Sequence, residues 1–156
     1  MKVHIIAVGK LRAGPEQDLV RDYLTRFDRA GRAVGLVSGH VVEVEDRKGL
    51  GMASEAVLLR KAIPDGAFLA VLDERGRTDT SPNFADRLAG WRDDGCRDLC
   101  FIIGGADGIA PDLRAEAGFT LSLGKMVWPH MLVRAMLAEQ LYRAASILTG
   151  APYHRY

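Results

Sequence analysis

Short apolar runs alternate with stretches of helical periodicity along the whole chain. VHIIAV at 3–8, closed by Gly9, reads as a buried strand. In GPEQDLVRDYLTRF, at 14–27, Leu19, Val20, Tyr23, Leu24 and Phe27 recur at helical spacing, and Pro15 and Glu16 suit a first turn. HVVEVE at 40–45 reads as a second strand and RKGLG as a loop. From Ser54 onward a helix continues through Val57, Leu58 and Lys61. AFLAVL gives a third strand ending at Asp73, and DERGRTDTS a turn-rich connection. Ser81 as cap, with Pro82 at the first position, starts a helix through Leu88 and Trp91. DLCFII at 98–103 is a fourth strand, followed by GGADG and a weaker helix around 111–117. FTLSL is a fifth, short strand, and GKMVWPH a loop. The longest helix runs from about His130 to Leu148.

Strands that alternate with helices, several of them apolar on both faces, predict an α/β fold: a mostly parallel sheet flanked by helices. The chain shows no repeat and no linker, so 1–156 is expected to be a single domain. Its 156 residues are 48% hydrophobic and 26% charged, enough apolar content for a real core. The net charge of +1 selects no partner, but its distribution does more. From Gly124 onward Lys125, Arg134, Arg143 and Arg155 face one acid, Glu139, and His130 and His154 lie in the same quarter. That basic end is compatible with an anionic partner. Cys96 and Cys100 are too few for a disulfide framework or a zinc site, and no metal is expected. MKVHIIAVGK does not resemble a signal peptide, and no apolar run approaches the roughly 20 residues of a membrane helix. A cytoplasmic protein without a membrane partner is the expectation.

Ligands of open α/β sheets sit beyond the carboxyl ends of the strands. Three such ends stand out: LDERG at Leu72, IIGGADG at Gly104 and LSLGKMVWPH at Ser122. GGADG reads either as an ordinary tight turn or as a loop that lets a ligand approach the backbone. It is neither of the familiar phosphate loops. SLGKMVWPH offers backbone amides and an apolar wall suited to an adenine. Equally, it is a connection whose Met126 and Trp128 cover the core. The last helix is apolar around most of its circumference, which places it in the interior or in an interface. A terminal helix has core on one side only, so a homodimer contact through Met131, Met136 or their neighbours is expected to cover the other. Arg134, Glu139 and Arg143 interrupt this apolar surface, and Glu139 and Arg143, at i,i+4, pair on the surface on the simplest reading. The chain closes on Tyr153, His154, Arg155 and Tyr156, an unusual concentration of chemistry for a terminus.

IIGGADG, LSLGKMVWPHMLVRAMLAEQLYRA and the terminal PYHRY together resemble the SPOUT-class methyltransferases, more narrowly their small RNA methyltransferase H type. AVLDERG at 70–76 fits too, and the likeness spans the chain. The resemblance implies S-adenosylmethionine as methyl donor and N3 of a pseudouridine in helix 69 of 23S rRNA as acceptor; a basic patch this small has few phosphate contacts, so the assembled ribosome is the expected substrate. It also implies a homodimer and a C-terminal trefoil knot, a rare exception to unknotted topology. The family's cofactor positions fall on Leu72, Gly104, Leu123, Gly124, Lys125, Met126, Val127 and Trp128. Its tail falls on Tyr153, His154 and Arg155, with no role for Tyr156. A hydroxyl residue is common in the family at Val127, and a Ser at Gly124, so side-chain hydrogen bonds there are lost while backbone contacts survive.

The implied reaction joins a sulfonium cation to an imide anion. It needs alignment, exclusion of water and stabilisation of that anion, but no metal or covalent nucleophile. His154 suits proton transfer, because an imidazole exchanges protons near neutral pH. Arg155 suits bidentate bonding to the imide oxygen or a phosphate. Two other readings stand beside this one: a non-enzymatic nucleotide- or RNA-binding module, and a SPOUT methyltransferase acting on another RNA such as tRNA. His4 and His40 are expected to be structural, Trp91 to pack its helix, and Leu72 alone of its charged turn to face the cofactor.

Overall fold

The structure, a computed structural model, describes residues 1–155; Tyr156, to which the sequence assigns no role, lies outside the described residues. The described residues form one sheet from β1 (Lys2–Val8), β2 (Val37–Val44), β3 (Phe68–Thr78), β4 (Asp98–Ile103) and β5 (Phe119–Ser122). The strand order is β2-β1-β4-β3-β5 and every pairing is parallel. Helices α1 (Pro15–Gly31), α2 (Met52–Ala62), α3 (Ser81–Asp93), α4 (Pro111–Ala115) and α5 (His130–Leu148) cover it. Alternation along the central strands builds a core on each face. Val3, Ile5 and Ala7 of β1 with Leu99 and Phe101 of β4 meet Phe27, Leu88, Leu137 and Leu141 from α1, α3 and α5. Ile6 and Val8 with Cys100 and Ile102 meet Ala56, Leu59 and Leu113 from α2 and α4. Apolar runs buried on both faces are what a parallel sheet between two helical layers requires.

Element boundaries differ from the sequence expectation where distant contacts set them. DERGRT is not simply a turn: β3 runs on to Thr78. After Leu72 pairs with Leu121, the register shifts and Arg77 and Thr78 pair with Leu121 and Ser122. The intervening backbone crosses β5 so closely that a Cβ on Gly76 would stand 2.7 Å from Leu121 C and Thr120 O. The cap of α3 is Thr80, whose Oγ1 accepts the Asn83 N–H at 3.3 Å, rather than Ser81. Ser81 instead donates to Gln140 Oε1 at 2.8 Å, tying α3 to α5.

The last helix finds more of its cover within the chain than its sequence indicates. α5 packs on α1 and α3 as well as on the sheet, so Leu137, Leu141, Ala144 and Ala145 are fully buried. Arg134, expected to interrupt an apolar surface, is completely buried. Its NH2 donates to Val8 O at 2.6 Å and Gly9 O at 2.7 Å, and its NH1 to Glu43 Oε2 at 2.7 Å. His4 is structural, as expected: Nδ1 accepts the His40 N–H at 3.0 Å, leaving Nε2 to donate to Asp98 at 2.8 Å. Trp91 packs between Phe68 and Phe119. Among the described residues no helix is long and apolar enough to cross a membrane.

The β3–β5 crossing yields a stability prediction. Gly76→Ala forces two backbones apart and should cost about 1–3 kcal/mol, the scale of overpacking a tight site. Urea unfolding of the variant should show a lowered midpoint with an unchanged slope.

Candidate functional site

A cavity of about 240 Å³ opens at the carboxyl ends of β3, β4 and β5. Leu72, Gly104, Leu123, Gly124, Met126, Val127 and Trp128, all singled out from sequence, line it. Lys125, the eighth of that set, is exposed and does not. Met126 and Trp128 do not cover the core: they are 71% and 38% exposed and, with the exposed Val127 between them, stand at the mouth. Asp73, Glu74 and Arg75 also line the cavity, so Leu72 is not alone among its charged neighbours.

Each wall has a local origin. Leu72 is fixed by ladder pairing with Ile103 on one side and Leu121 on the other. Gly104 opens a loop that folds back on itself, with Gly108 N–H donating to Gly105 O at 3.1 Å. A Cβ on Gly104 would lie 2.6 Å from Gly108 C and 2.8 Å from Ile109 Cγ1, so only glycine permits this turn. The 123–128 loop is started by the buried Ser122. Its Oγ donates to Gly124 O at 2.9 Å and accepts the Gly124 N–H at 3.2 Å. Asp73 is held by the Arg75 N–H at 2.9 Å and by Arg114 NH1 at 3.1 Å. Burial pushes the Asp73 carboxyl up, but these two donors outweigh it and hold the group below the ordinary carboxylate value. A slot with backbone amides, carbonyl oxygens and the apolar Leu72, Leu123 and Val133 fits an adenosyl group and its edge hydrogen bonds. Among the described residues no three His, Cys, Asp or Glu side chains gather to hold a metal.

His130, the first residue of α5, also lines the cavity. Its Nδ1 is buried and unpartnered, as is Nε of Arg134 one turn later. Burial, and then the Arg134 charge, push the His130 imidazole below its ordinary pKa.

The terminal residues are elsewhere. α5 ends at Leu148 with Thr149 as its cap and Gly150 at φ 70°; Ala151 N–H returns to Ser146 O at 2.9 Å and Gly150 N–H to Ile147 O at 3.1 Å. This turn lays the tail back along the helix. Tyr153 OH donates to Glu139 Oε1 at 3.0 Å, its ring packs on Tyr142 at 4.4 Å, and Arg143 covers it at 4.7 Å. His154 Nδ1 lies 3.4 Å from Arg143 NH1. Glu139 and Arg143 do pair, but half-buried beneath the tail rather than on an open surface. Tyr153 and His154 are half-buried and Arg155 is exposed; none of the three lines the cavity of its own chain. Sequence reasoning passed over Asp73, Ser122 and His130. Position at a strand's carboxyl end was the available signal for the first two, and the PH step before the helix for the third.

The family model described as "Predicted SPOUT methyltransferase" matches residues 1–154. The chain is 76% identical over 155 residues to the ribosomal RNA large subunit methyltransferase H of Roseobacter denitrificans, and 68% identical to that of Ruegeria pomeroyi. Each likeness covers 99% of both chains. In fold the chain is similar to a "probable methylase family protein" from Haemophilus influenzae Rd KW20, with a TM-score of 0.52 and 11% identity. That likeness covers 99% of this chain and 70% of the other.

The Asp73 clamp sets a pH dependence. A carboxyl depressed in the fold stabilises above its unfolded pKa, about 3.9, and loses that contribution as pH falls through its lower folded value. Arg114→Ala should therefore cost about 1 kcal/mol at pH 7. The difference from the parent should shrink as pH falls below about 4. Urea midpoints of both proteins at pH 7 and pH 3 check this.

Proposed function

The chain belongs to the SPOUT methyltransferase family, and from that footing we propose that it methylates N3 of a pseudouridine in helix 69 of 23S rRNA, with S-adenosylmethionine as donor. It does so in the cytoplasm, as a homodimer of one-domain subunits knotted at the C-terminus, on the assembled ribosome. One observation carries this reading: seven of the eight positions at which the resemblance puts the cofactor line a single cavity at the strand ends.

S-adenosylmethionine, when bound, supplies a methyl group on a sulfonium. The chain's residues do the rest. Leu72 and Leu123 supply apolar wall, and the 104–108 and 123–128 backbones supply hydrogen-bonding groups for the adenosyl part. His154 takes the proton from the imide nitrogen, and Arg155 holds the imide oxygen as charge develops there. Tyr153 anchors both by its bond to Glu139 and its contact with Tyr142. Because the tail lies against α5 and lines no part of its own cavity, it serves the cavity of the other subunit. The isologous contact uses the groove of about 530 Å³ lined by Leu19, Tyr23, Leu132 and Met136, and continues over the exposed Met131. The basic C-terminal quarter carries few phosphate contacts, so ribosomal surface supplies further recognition.

Tritiated methyl transfer tests the reading. Intact ribosomes should be methylated efficiently and deproteinised rRNA poorly. Equal rates on both would remove the ribosome from the proposal, and labelling of tRNA alone would replace the substrate. The double variant His154→Ala, Arg155→Ala should lose about 100-fold or more in rate while binding cofactor with parental affinity.

Subunit mixing tests the dimer. A tail-deleted chain is combined with Gly104→Val, whose side chain collides with Gly108 and Ile109 and breaks the cofactor loop. Recovered activity is expected, because one complete site is rebuilt in trans. A mixture as inactive as its parts would place the tail in cis.

A further inference from the structure

The imidazole of His130 is asymmetric in its surroundings. The ring lies over Gly9 beyond β1, where a glycine Cβ would meet its Cε1 at 3.4 Å and Arg134 NH2 at 3.8 Å. Nδ1 is buried with no hydrogen-bond partner, beside a guanidinium that is itself completely buried. A proton on Nδ1 would bury an N–H with no acceptor, on a ring close to a cation. A lone pair there needs no acceptor, and on a ring so close to a cation it is favoured over an N–H. The ring proton therefore sits on Nε2, the nitrogen not confined by this packing, and the ring lines the cavity. A second proton is disfavoured too, since burial and Arg134 both lower the pKa of His130. The group is a neutral donor, and it cannot act as a base through Nε2.

Its place in the cavity selects the acceptor. In the sheet order β2-β1-β4-β3-β5, Leu121 and Leu123 at the end of β5 and His130 over the end of β1 stand at opposite ends of the cavity, joined by the 124–128 loop. Leu72, Leu121 and Leu123 give the β3–β5 end its apolar wall, which suits an adenine. The β1 end has a hydrogen-bond donor with a fixed positive charge behind it, which suits an anion. S-adenosylmethionine carries one anionic group, its carboxylate, at the end remote from the adenine. We propose that His130 is a positioning residue, a neutral imidazole locked as the Nε2–H tautomer by buried Arg134, that donates to the carboxylate of the cofactor's amino-acid end. This rests on the cofactor reading above.

Two measurements test it. In ¹⁵N-histidine-labelled, ligand-free protein, long-range ¹H–¹⁵N correlations of His130 should show Nε2 protonated and Nδ1 bare. A proton on Nδ1, or on both nitrogens at neutral pH, overturns the proposal. Calorimetry then compares S-adenosylhomocysteine, which has the carboxylate, with 5′-methylthioadenosine, which lacks it. His130→Ala should weaken S-adenosylhomocysteine about tenfold or more, the scale of a hydrogen bond to a charged partner. It should leave methylthioadenosine unchanged. His130→Gln, whose amide nitrogen replaces Nε2, should restore most of the loss. Equal weakening of both ligands would mean that His130 merely shapes the cavity, and no weakening would mean that it makes no contact; either result overturns the assignment. If the parent protein binds neither ligand, the cofactor reading itself fails and this inference falls with it.

Discussion

The buried guanidinium of Arg134 decides where the last helix begins. It takes the carbonyls of Val8 and Gly9, at the end of β1, and the carboxylate of Glu43 on β2. Glu43 Oε2 also accepts the Leu11 N–H at 2.5 Å, so the chain leaving β1 is held by the same cluster. Burying a charge is costly, and an apolar residue of similar size is often no less stabilising. What the ion pair adds is position: it fixes α5 to the ends of two strands. The first turns of α5 then stand at the carboxyl edge of the sheet, where His130 and Val133 become cavity wall.

The opposite wall rests on backbone rather than on charge. Gly76 lets β3 cross β5 at van der Waals limits, and Ser122 engages both the N–H and the carbonyl of Gly124. Because the loop is shaped through Ser122, glycine at 124 and valine at 127 do not dismantle it. The exposure of Val127 leaves its side chain without a structural duty in the subunit.

Much of this was legible in sequence because it is local. The apolar run of β4 and the helical spacing of α5 match the observed elements residue for residue. The extension of β3 was not legible. DERGRT has a turn's composition, and it becomes strand through pairing with Leu121 and Ser122, more than forty residues on. Arg134 looked like an interruption for the same reason, since Glu43 is 91 residues away and no spacing rule joins them. The cavity residues came from resemblance and from strand ends. The tail's chemistry was visible as letters, but its docking on Glu139 and Tyr142 needs the reversal after α5, a matter of geometry.

That reversal decides where along α5 the tail lies. His130 marks the cavity end of α5, and Glu139, where Tyr153 docks, lies nine positions further along the helix. At about 1.5 Å per residue, that is about 14 Å along the axis. A tail pinned there by a hydrogen bond, two aromatic rings and a cation lines no part of its own cavity. In the homodimer we propose, the contacts that pin the tail to its own α5 need not be given up, because the tail serves the opposite cavity rather than its own.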